Sequence, residues 1–147
     1  MSITFRTIVI KAPPSGSRAP CKTGVFNLDV EVTGAADSSG GRYQVEIYDE
    51  DDLFHDYLDV VVEEAIPPGP LGKVTRVTLK CDDQCHLAGG IESSGESSAE
   101  VYAVAREQNA PHAKIVSLPI ILHCVEEDEN AQQTLGKRRP GRKQRTA

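Results

Sequence analysis

The stretch Val25-Phe26-Asn27-Leu28-Asp29-Val30-Glu31-Val32 decides the fold class, because it gives the cleanest alternation of apolar and polar residues in the 147-residue chain. In a β-strand, successive side chains point to opposite faces, so the apolar residues from Phe26 to Val32 would share one face and the polar ones the other. A strand of this kind is typical of an antiparallel sheet with one face in the core and one in water.

Six further stretches carry the same alternation, and residues typical of turns separate them. Pro119 lies on the opposite parity from the apolar residues of the last stretch, which indicates an edge or a bulge there. The pattern predicts an all-β, antiparallel β-sandwich of seven to eight strands, with an immunoglobulin-like topology as the first expectation. The chain has no Trp, so the Cys-Trp-Cys hallmark of true immunoglobulin domains is missing. The six further predicted strands are Ile3–Lys11, Tyr43–Tyr48, Leu58–Val62, Val77–Cys81, Glu100–Arg106 and Val116–Cys124.

The composition changes near residue 126, where apolar residues become rare. We therefore predict one β-sandwich domain over residues 1–125 and a disordered tail over 126–147 that is first acidic and then basic. Because the whole chain carries −6 and residues 135–147 carry +6, residues 1–134 carry −12. A body of this charge repels nucleic acid and anionic membranes, and only the tail is suited to contact nucleic acid or an acidic partner. The basic residues of the tail are Lys137, Arg138, Arg139, Arg142, Lys143 and Arg145.

Neither a membrane span nor a signal peptide is predicted. No run of 18 apolar residues occurs, and Met1–Arg6 lacks the basic and then apolar order of a signal peptide. The expected location is intracellular, and an extracellular one is the alternative if the chain is a mature fragment, because four cysteines are compatible with an oxidising compartment.

The four cysteines are predicted to gather at one end of the sandwich. If seven strands alternate in direction, one pole collects Cys21, the acidic turn at 49–56, Cys81, Cys85 and Cys124. Three interpretations stay open: buried or loop thiols, disulfides, or a zinc site. The zinc site would use Cys81, Cys85 and Cys124, with Cys21, His86 or His123 as the fourth ligand.

Residues 49–59 contain six acids, which favours either a solvated loop or a calcium site, since Ca²⁺ takes six to eight oxygen ligands. The run Val45-Glu46-Ile47-Tyr48-Asp49-Glu50-Asp51, followed by Asp56-Tyr57-Leu58, resembles the part of C2 domains in which a strand ends in Asp-x-Asp and an Asp, an aromatic residue and a Leu follow. The resemblance implies a C2-like sandwich with Asp49 and Asp51 as calcium ligands, assisted by Asp56. Asp59 stands where that family has Gly, and the sequence has no matching second Asp-bearing loop.

No catalytic motif is present. A Gly-x-Ser-x-Gly elbow is missing, and Gly69–Val74 is not a phosphate loop, because Val74 stands where Ser or Thr would hold magnesium. We therefore predict a non-catalytic binding or adaptor module for a protein partner, with no certain cofactor but with calcium or zinc as candidates at the loop pole. Two alternatives stay open: a self-assembling structural subunit whose basic tail contacts nucleic acid or an acidic partner, and a small enzyme that depends on cysteine or zinc.

Overall fold

The computed structural model describes residues 2–50, 57–61, 64–90, 92–108, 110 and 112–126. The described residues form eleven β-strands, and they include no helix long and apolar enough to cross a membrane. In chain order the strands are β1 (Ile3–Ala12), β2 (Ser17–Pro20), β3 (Val25–Ala36), β4 (Gly41–Asp49), β5 (Asp59–Val60), β6 (Glu64–Ile66), β7 (Gly69–Cys81), β8 (Leu87–Ala88), β9 (Ser98–Glu107), β10 (Lys114–Val116) and β11 (Ile120–Val125).

The strands form two sheets, and the fold is the predicted all-β sandwich. Sheet A has the order β1-β3-β7-β8. Sheet B has the order β2-β11-β9-β4-β5, with β10 also paired to β9 and β6 also paired to β4. Neighbouring strands are antiparallel except for β2 and β11, which are parallel.

The core lies between the inner faces of the two sheets. Leu28, Val30 and Val32 of β3 are completely buried, as their alternation predicts. Burying each such side chain contributes about 1.5–3 kcal/mol relative to leaving it in water. The facing buried residues of sheet B include Tyr43, Val45 and Ile47 of β4 and Val101, Ala103 and Ala105 of β9.

The first predicted strand, Ile3–Lys11, lies within β1, and an additional strand follows it in the other sheet. β1 pairs with β3 in sheet A, and after residues 13–16 the chain enters sheet B as β2, which pairs with β11. β2 was not predicted, because four residues that include Ser17 and Pro20 give no apolar alternation. The chain does not turn back between β1 and β2, so the extra strand leaves the predicted order of strand directions unchanged.

Three strand boundaries differ from the prediction. Within the predicted strand Leu58–Val62 the structure has β5 at Asp59–Val60, Val62 lies outside the described residues, and a further short strand, β6, also pairs with β4. Gly69 and Pro70 were predicted to lie in a turn, yet they begin β7 and pair with Ala36 and Ala35. Proline is tolerated there because, among the described residues, β7 has a neighbour on one side only until Lys80. A further strand, β8, lies between the predicted strands Val77–Cys81 and Glu100–Arg106.

Pro119 interrupts the last predicted strand, as expected, and divides it into β10 and β11. Both segments pair with β9, at Val104 and at Val101 respectively. Between them the Ser117 hydroxyl accepts a hydrogen bond from the Ala103 backbone N–H at 2.9 Å and donates one to the Leu118 carbonyl at 2.9 Å. Ser117 thus satisfies a buried backbone donor where the ladder is irregular.

Candidate functional site

All four cysteines lie at one pole of the sandwich and form two disulfides. Cys81 at the end of β7 is bonded to Cys124 of β11, so this disulfide joins sheet A to sheet B. Cys21, directly after β2, is bonded to Cys85 in the turn after β7. The disulfide interpretation is therefore the one that the structure supports. Because no free cysteine remains, thiolate ligands for zinc and a cysteine nucleophile are not available in this oxidised form.

Asp82 organises the turn that carries Cys85. Its Oδ1 accepts hydrogen bonds from the backbone nitrogens of Gln84 and His86, each at 2.9 Å. The hydrogen bond from the His86 backbone, helped by that from Gln84, holds the pKa of Asp82 below its usual value. Cys85 has a φ of 65°, a conformation that costs energy for a residue other than glycine, and the Asp82 contacts surround it on both sides.

Carboxylates from separate parts of the chain meet beside the disulfide pole. Asp49 and Glu50, at the end of β4, line a cavity of about 450 Å³ together with Glu96 and Glu100. Glu96 also lines a neighbouring cavity of about 550 Å³ that reaches Cys85 and Cys124. The prediction that the start of the acidic turn shares a pole with the cysteines is confirmed for Asp49 and Glu50.

The calcium prediction rests mainly on residues outside the described part of the chain. Asp49 is described and is 2% exposed, but Asp51 and Asp56 lie outside it. Within the ranges that the structure describes, no group of three or more His, Cys, Asp or Glu residues could hold a metal ion. Calcium binding by Asp49, Asp51 and Asp56 therefore stays a prediction. The basic tail residues Lys137, Arg138, Arg139, Arg142, Lys143 and Arg145 also lie outside the described residues.

The outer face of sheet B carries a cluster of tyrosines. The rings of Tyr48 on β4 and Tyr102 on β9 are stacked, with centroids 5.5 Å apart and an interplanar angle of 10°. Tyr57 contacts Tyr48 edge-on at 5.6 Å. Val104 is buried in the same cluster. This face of the sheet points away from the main core, yet Tyr48 and Tyr102 are only 7% and 8% exposed.

A buried carboxylate lies next to the tyrosines. Glu46 on β4 is 2% exposed, although it is on the outward parity of its strand. Its oxygens accept hydrogen bonds from the Arg106 guanidinium at 3.2 Å, from the Tyr48 hydroxyl at 2.9 Å and from the Gln44 amide. Burial of the Tyr48 hydroxyl, together with its hydrogen bond to Glu46 and the charge of that carboxylate, raises the pKa of Tyr48 to about 12.

Exposed apolar side chains extend this face toward β10 and β11. Leu118 is 86% exposed, Val116 is 50% exposed, and Ile121 is 38% exposed. A groove of about 270 Å³ lies beside them. It is lined by Tyr102, Val116, Ser117 and Pro119, which we call its floor, and by Glu50 and Glu100, which we call its rim. We call this groove the tyrosine groove. It combines an apolar floor with two carboxylates.

The outer face of sheet A is different in kind. Arg76 forms an ion pair with Asp29 at 2.9 Å, Thr78 donates a hydrogen bond to Asn27 at 3.0 Å, and Lys11 lies 3.8 Å from Glu31. The exposed Val9 and Val74 are separated by Glu31, which is paired with both in the ladder. Sheet A therefore presents a polar face to water, whereas the outer face of sheet B holds a buried tyrosine cluster with exposed apolar side chains beside it.

The sequence analysis did not identify the outer face of sheet B. The relevant signal is that Tyr48 and Tyr102 each interrupt the polar side of an alternating strand. Their stacking requires that β4 and β9 be neighbours with Tyr48 opposite Tyr102, which is a long-range pairing that neither strand encodes locally.

No protein-family model matches this sequence, and no curated protein or solved structure matches it either.

Proposed function

We propose that this β-sandwich is a non-catalytic binding module that recognises a protein partner through the outer face of sheet B. The observation that carries the proposal is the contrast between the two outer faces. Tyrosine and arginine dominate the binding energy of protein interfaces, because they bury large areas and still offer polar groups. Here Tyr48 and Tyr102 are almost completely buried, so a partner would contact the exposed Val116, Leu118 and Ile121 and the accessible part of Arg106. On sheet A the exposed Val9 and Val74 are separated by Glu31.

The strand order supports an immunoglobulin-like identity for the module. β1, β3 and β7 take the places of strands A, B and E in one sheet, and β4, β9 and β11 take those of C, F and G in the other. The disulfide between the sheets departs from the antibody pattern, because it joins the strands in the E and G places and not those in the B and F places. Two disulfides also favour an oxidising compartment, which supports the extracellular alternative over the intracellular one.

The test uses a photoreactive amino acid in place of Leu118, with the same substitution at Val74 on the outer face of sheet A as the matched control. We expect cross-linking in an extract of the source cells to give one specific adduct from position 118 and none from position 74. The cross-linked protein is then purified, and its affinity is measured for Leu118→Glu and Val74→Glu. We expect the first substitution to abolish binding and the second to leave it unchanged. Equal affinities of the two variants would contradict the proposal.

A self-assembling subunit is the second candidate, and the unpaired edge of β7 supports it. Among the described residues, Gly69 to Leu79 have a partner strand on the β3 side only. An exposed edge of this length can add a strand from another molecule. The edge that was predicted at the last strand is not free, because β2 covers β11. Light scattering after size exclusion separates the candidates: a monomer at high concentration contradicts self-assembly and agrees with a binding module.

A further inference from the structure

The tyrosine groove is suited to a segment that carries both apolar and cationic side chains. Its floor is formed by Tyr102, Val116 and Pro119, and its rim by Glu50 and Glu100. An aliphatic side chain would bury apolar area on the floor, while arginines would pair with the rim carboxylates and lie against the tyrosine ring.

The chain itself contains a segment of this composition. Residues 135–145 read Leu-Gly-Lys-Arg-Arg-Pro-Gly-Arg-Lys-Gln-Arg, with one aliphatic residue, six cations and no acid. This segment lies outside the described residues, and we call it the basic segment. Its charge is opposite to that of residues 1–134, which carry −12 against its +6.

The basic segment is attached where it can reach the tyrosine groove. Glu126, the last described residue, lines the cavities next to Cys85 at the disulfide pole. From Val125 back to Pro119 the chain runs along β11 for six residues, or ~20 Å. The nine residues from Glu126 to Leu135 can span at most ~30 Å. The groove therefore lies within the reach of Leu135, and a segment tethered at such a distance has an effective concentration in the millimolar range.

The surface between Glu126 and the tyrosine groove is acidic. Glu126, Glu96, Asp49, Glu50 and Glu100 line three cavities that share residues with one another, from the disulfide pole to the tyrosine groove. Among the described residues that line these cavities there is no lysine or arginine. Carboxylates along one path attract a cationic segment and raise its local concentration near the groove.

We propose that the basic segment binds the tyrosine groove of its own molecule, with Leu135 on the apolar floor and Arg138 and Arg139 against Glu50 and Glu100. The contact itself does not depend on any partner. Its consequence for partner binding rests on the proposed function: the segment covers part of the outer face of sheet B, so a protein partner must displace it.

The absence of tryptophan from the chain allows a direct test. In the full-length variant Leu135→Trp the single indole reports on the basic segment. At low salt (~10 mM), where the Debye length is ~30 Å, we expect a blue-shifted emission and a severalfold lower acrylamide quenching constant than at ~1 M salt, where the Debye length is ~3 Å. An emission typical of a solvent-exposed indole at low salt would overturn the proposal.

Two charge-reversal variants locate the contact. Glu50→Lys with Glu100→Lys in the Leu135→Trp background changes the rim of the groove and should expose the indole at low salt. Asp29→Lys with Glu31→Lys makes the same change of charge on the outer face of sheet A and should leave the indole protected. Equal exposure of the indole in both variants would show attraction by net charge alone and overturn the site.

The dependence on protein concentration tests whether the contact is intramolecular. Protection of the indole that increases with protein concentration would place the basic segment on a second molecule and overturn the intramolecular contact. No partner protein is used, so failure here is separate from failure of the proposed function.

Discussion

Cys81 and Cys124 join the two sheets of the sandwich covalently, with their Cα atoms 5.6 Å apart. Both residues are almost completely buried, and 43 residues separate them in sequence. Cys21 and Cys85 form a second disulfide at the same pole, and both are only partly buried.

Removing the buried disulfide should reduce the free energy of unfolding strongly. Closing a loop of 43 residues stabilises the folded state by about 4 kcal/mol in the chain-entropy treatment. The double variant Cys81→Ala with Cys124→Ala also leaves a small cavity, so we expect a loss of at least this size in guanidinium unfolding without reductant. Cys21→Ala with Cys85→Ala is the comparison: closing its loop of 64 residues also contributes about 4 kcal/mol, so it should cost less only through a smaller cavity, because its side chains are partly exposed. Four titratable thiols in the native, unreduced protein would contradict the assignment.

Replacing Ser117 should destabilise the fold through a lost backbone hydrogen bond. In Ser117→Ala the buried Ala103 N–H loses its acceptor, and we expect a decrease of about 1–3 kcal/mol in the free energy of unfolding. Ser98→Ala is the matched control, because its hydroxyl forms an exposed hydrogen bond with His123. Its effect should stay within about 0.5 kcal/mol. Equal urea midpoints for the two variants would count against the role of Ser117.

Arg106 should matter far more for stability than Arg76. Arg106→Met leaves the buried Glu46 carboxylate without its cation, and we expect a loss of about 3 kcal/mol. Arg76→Met breaks an ion pair with Asp29 that is exposed on sheet A and should cost about 0–1 kcal/mol. Chemical unfolding of both variants at neutral pH measures the difference. A double-mutant cycle with Glu46→Gln should show that the two residues are coupled, and additive effects would contradict the buried pair.

Tyr48 should titrate at an unusually alkaline pH. Its pKa is raised to about 12 in the folded protein, against about 10 for an unperturbed tyrosine. Because the folded state holds this proton more tightly, the associated stability is fully present below pH ~10 and is lost as the pH rises toward 12. Ultraviolet titration of the phenolate should show one late tyrosine that disappears in Tyr48→Phe. A late transition that persists in this variant would assign the raised pKa to another residue.

The local pattern of the sequence was sufficient to predict most of the sandwich. Alternation in Val25–Val32 and Tyr43–Tyr48 identified β3 and β4, and Pro119 marked the break between β10 and β11. Short strands were missed where alternation has no room to develop, as in Ser17–Pro20 and Leu87–Ala88. Such strands form because neighbouring strands offer them hydrogen bonds, and that information is not local.

The candidate site was predicted only in part. Strand parity brought the cysteines and Asp49 to one pole, because counting strand directions requires no knowledge of the pairing. Predicting the outer face of sheet B requires knowledge of which strands are neighbours, and strand parity does not provide it. The buried Glu46 is paired with Arg106, which is 60 residues away in sequence and lies on the adjacent strand β9. The alternation along β4 correctly predicted that Glu46 points away from the core, but it could not predict which side chains would bury it.

The connectivity of the two disulfides has a mechanical consequence. When tension is applied to both ends of the oxidised chain, the shortest covalent path enters at Cys21, crosses to Cys85, follows residues 84–82 back to Cys81, and leaves through Cys124. Residues 22–80 and 86–123 lie off this path. Stretching the molecule therefore loads residues 1–20, which include β1 and β2, and the residues after Cys124, whereas strands β3 to β10 cannot be extended until one of the sulfur bridges breaks.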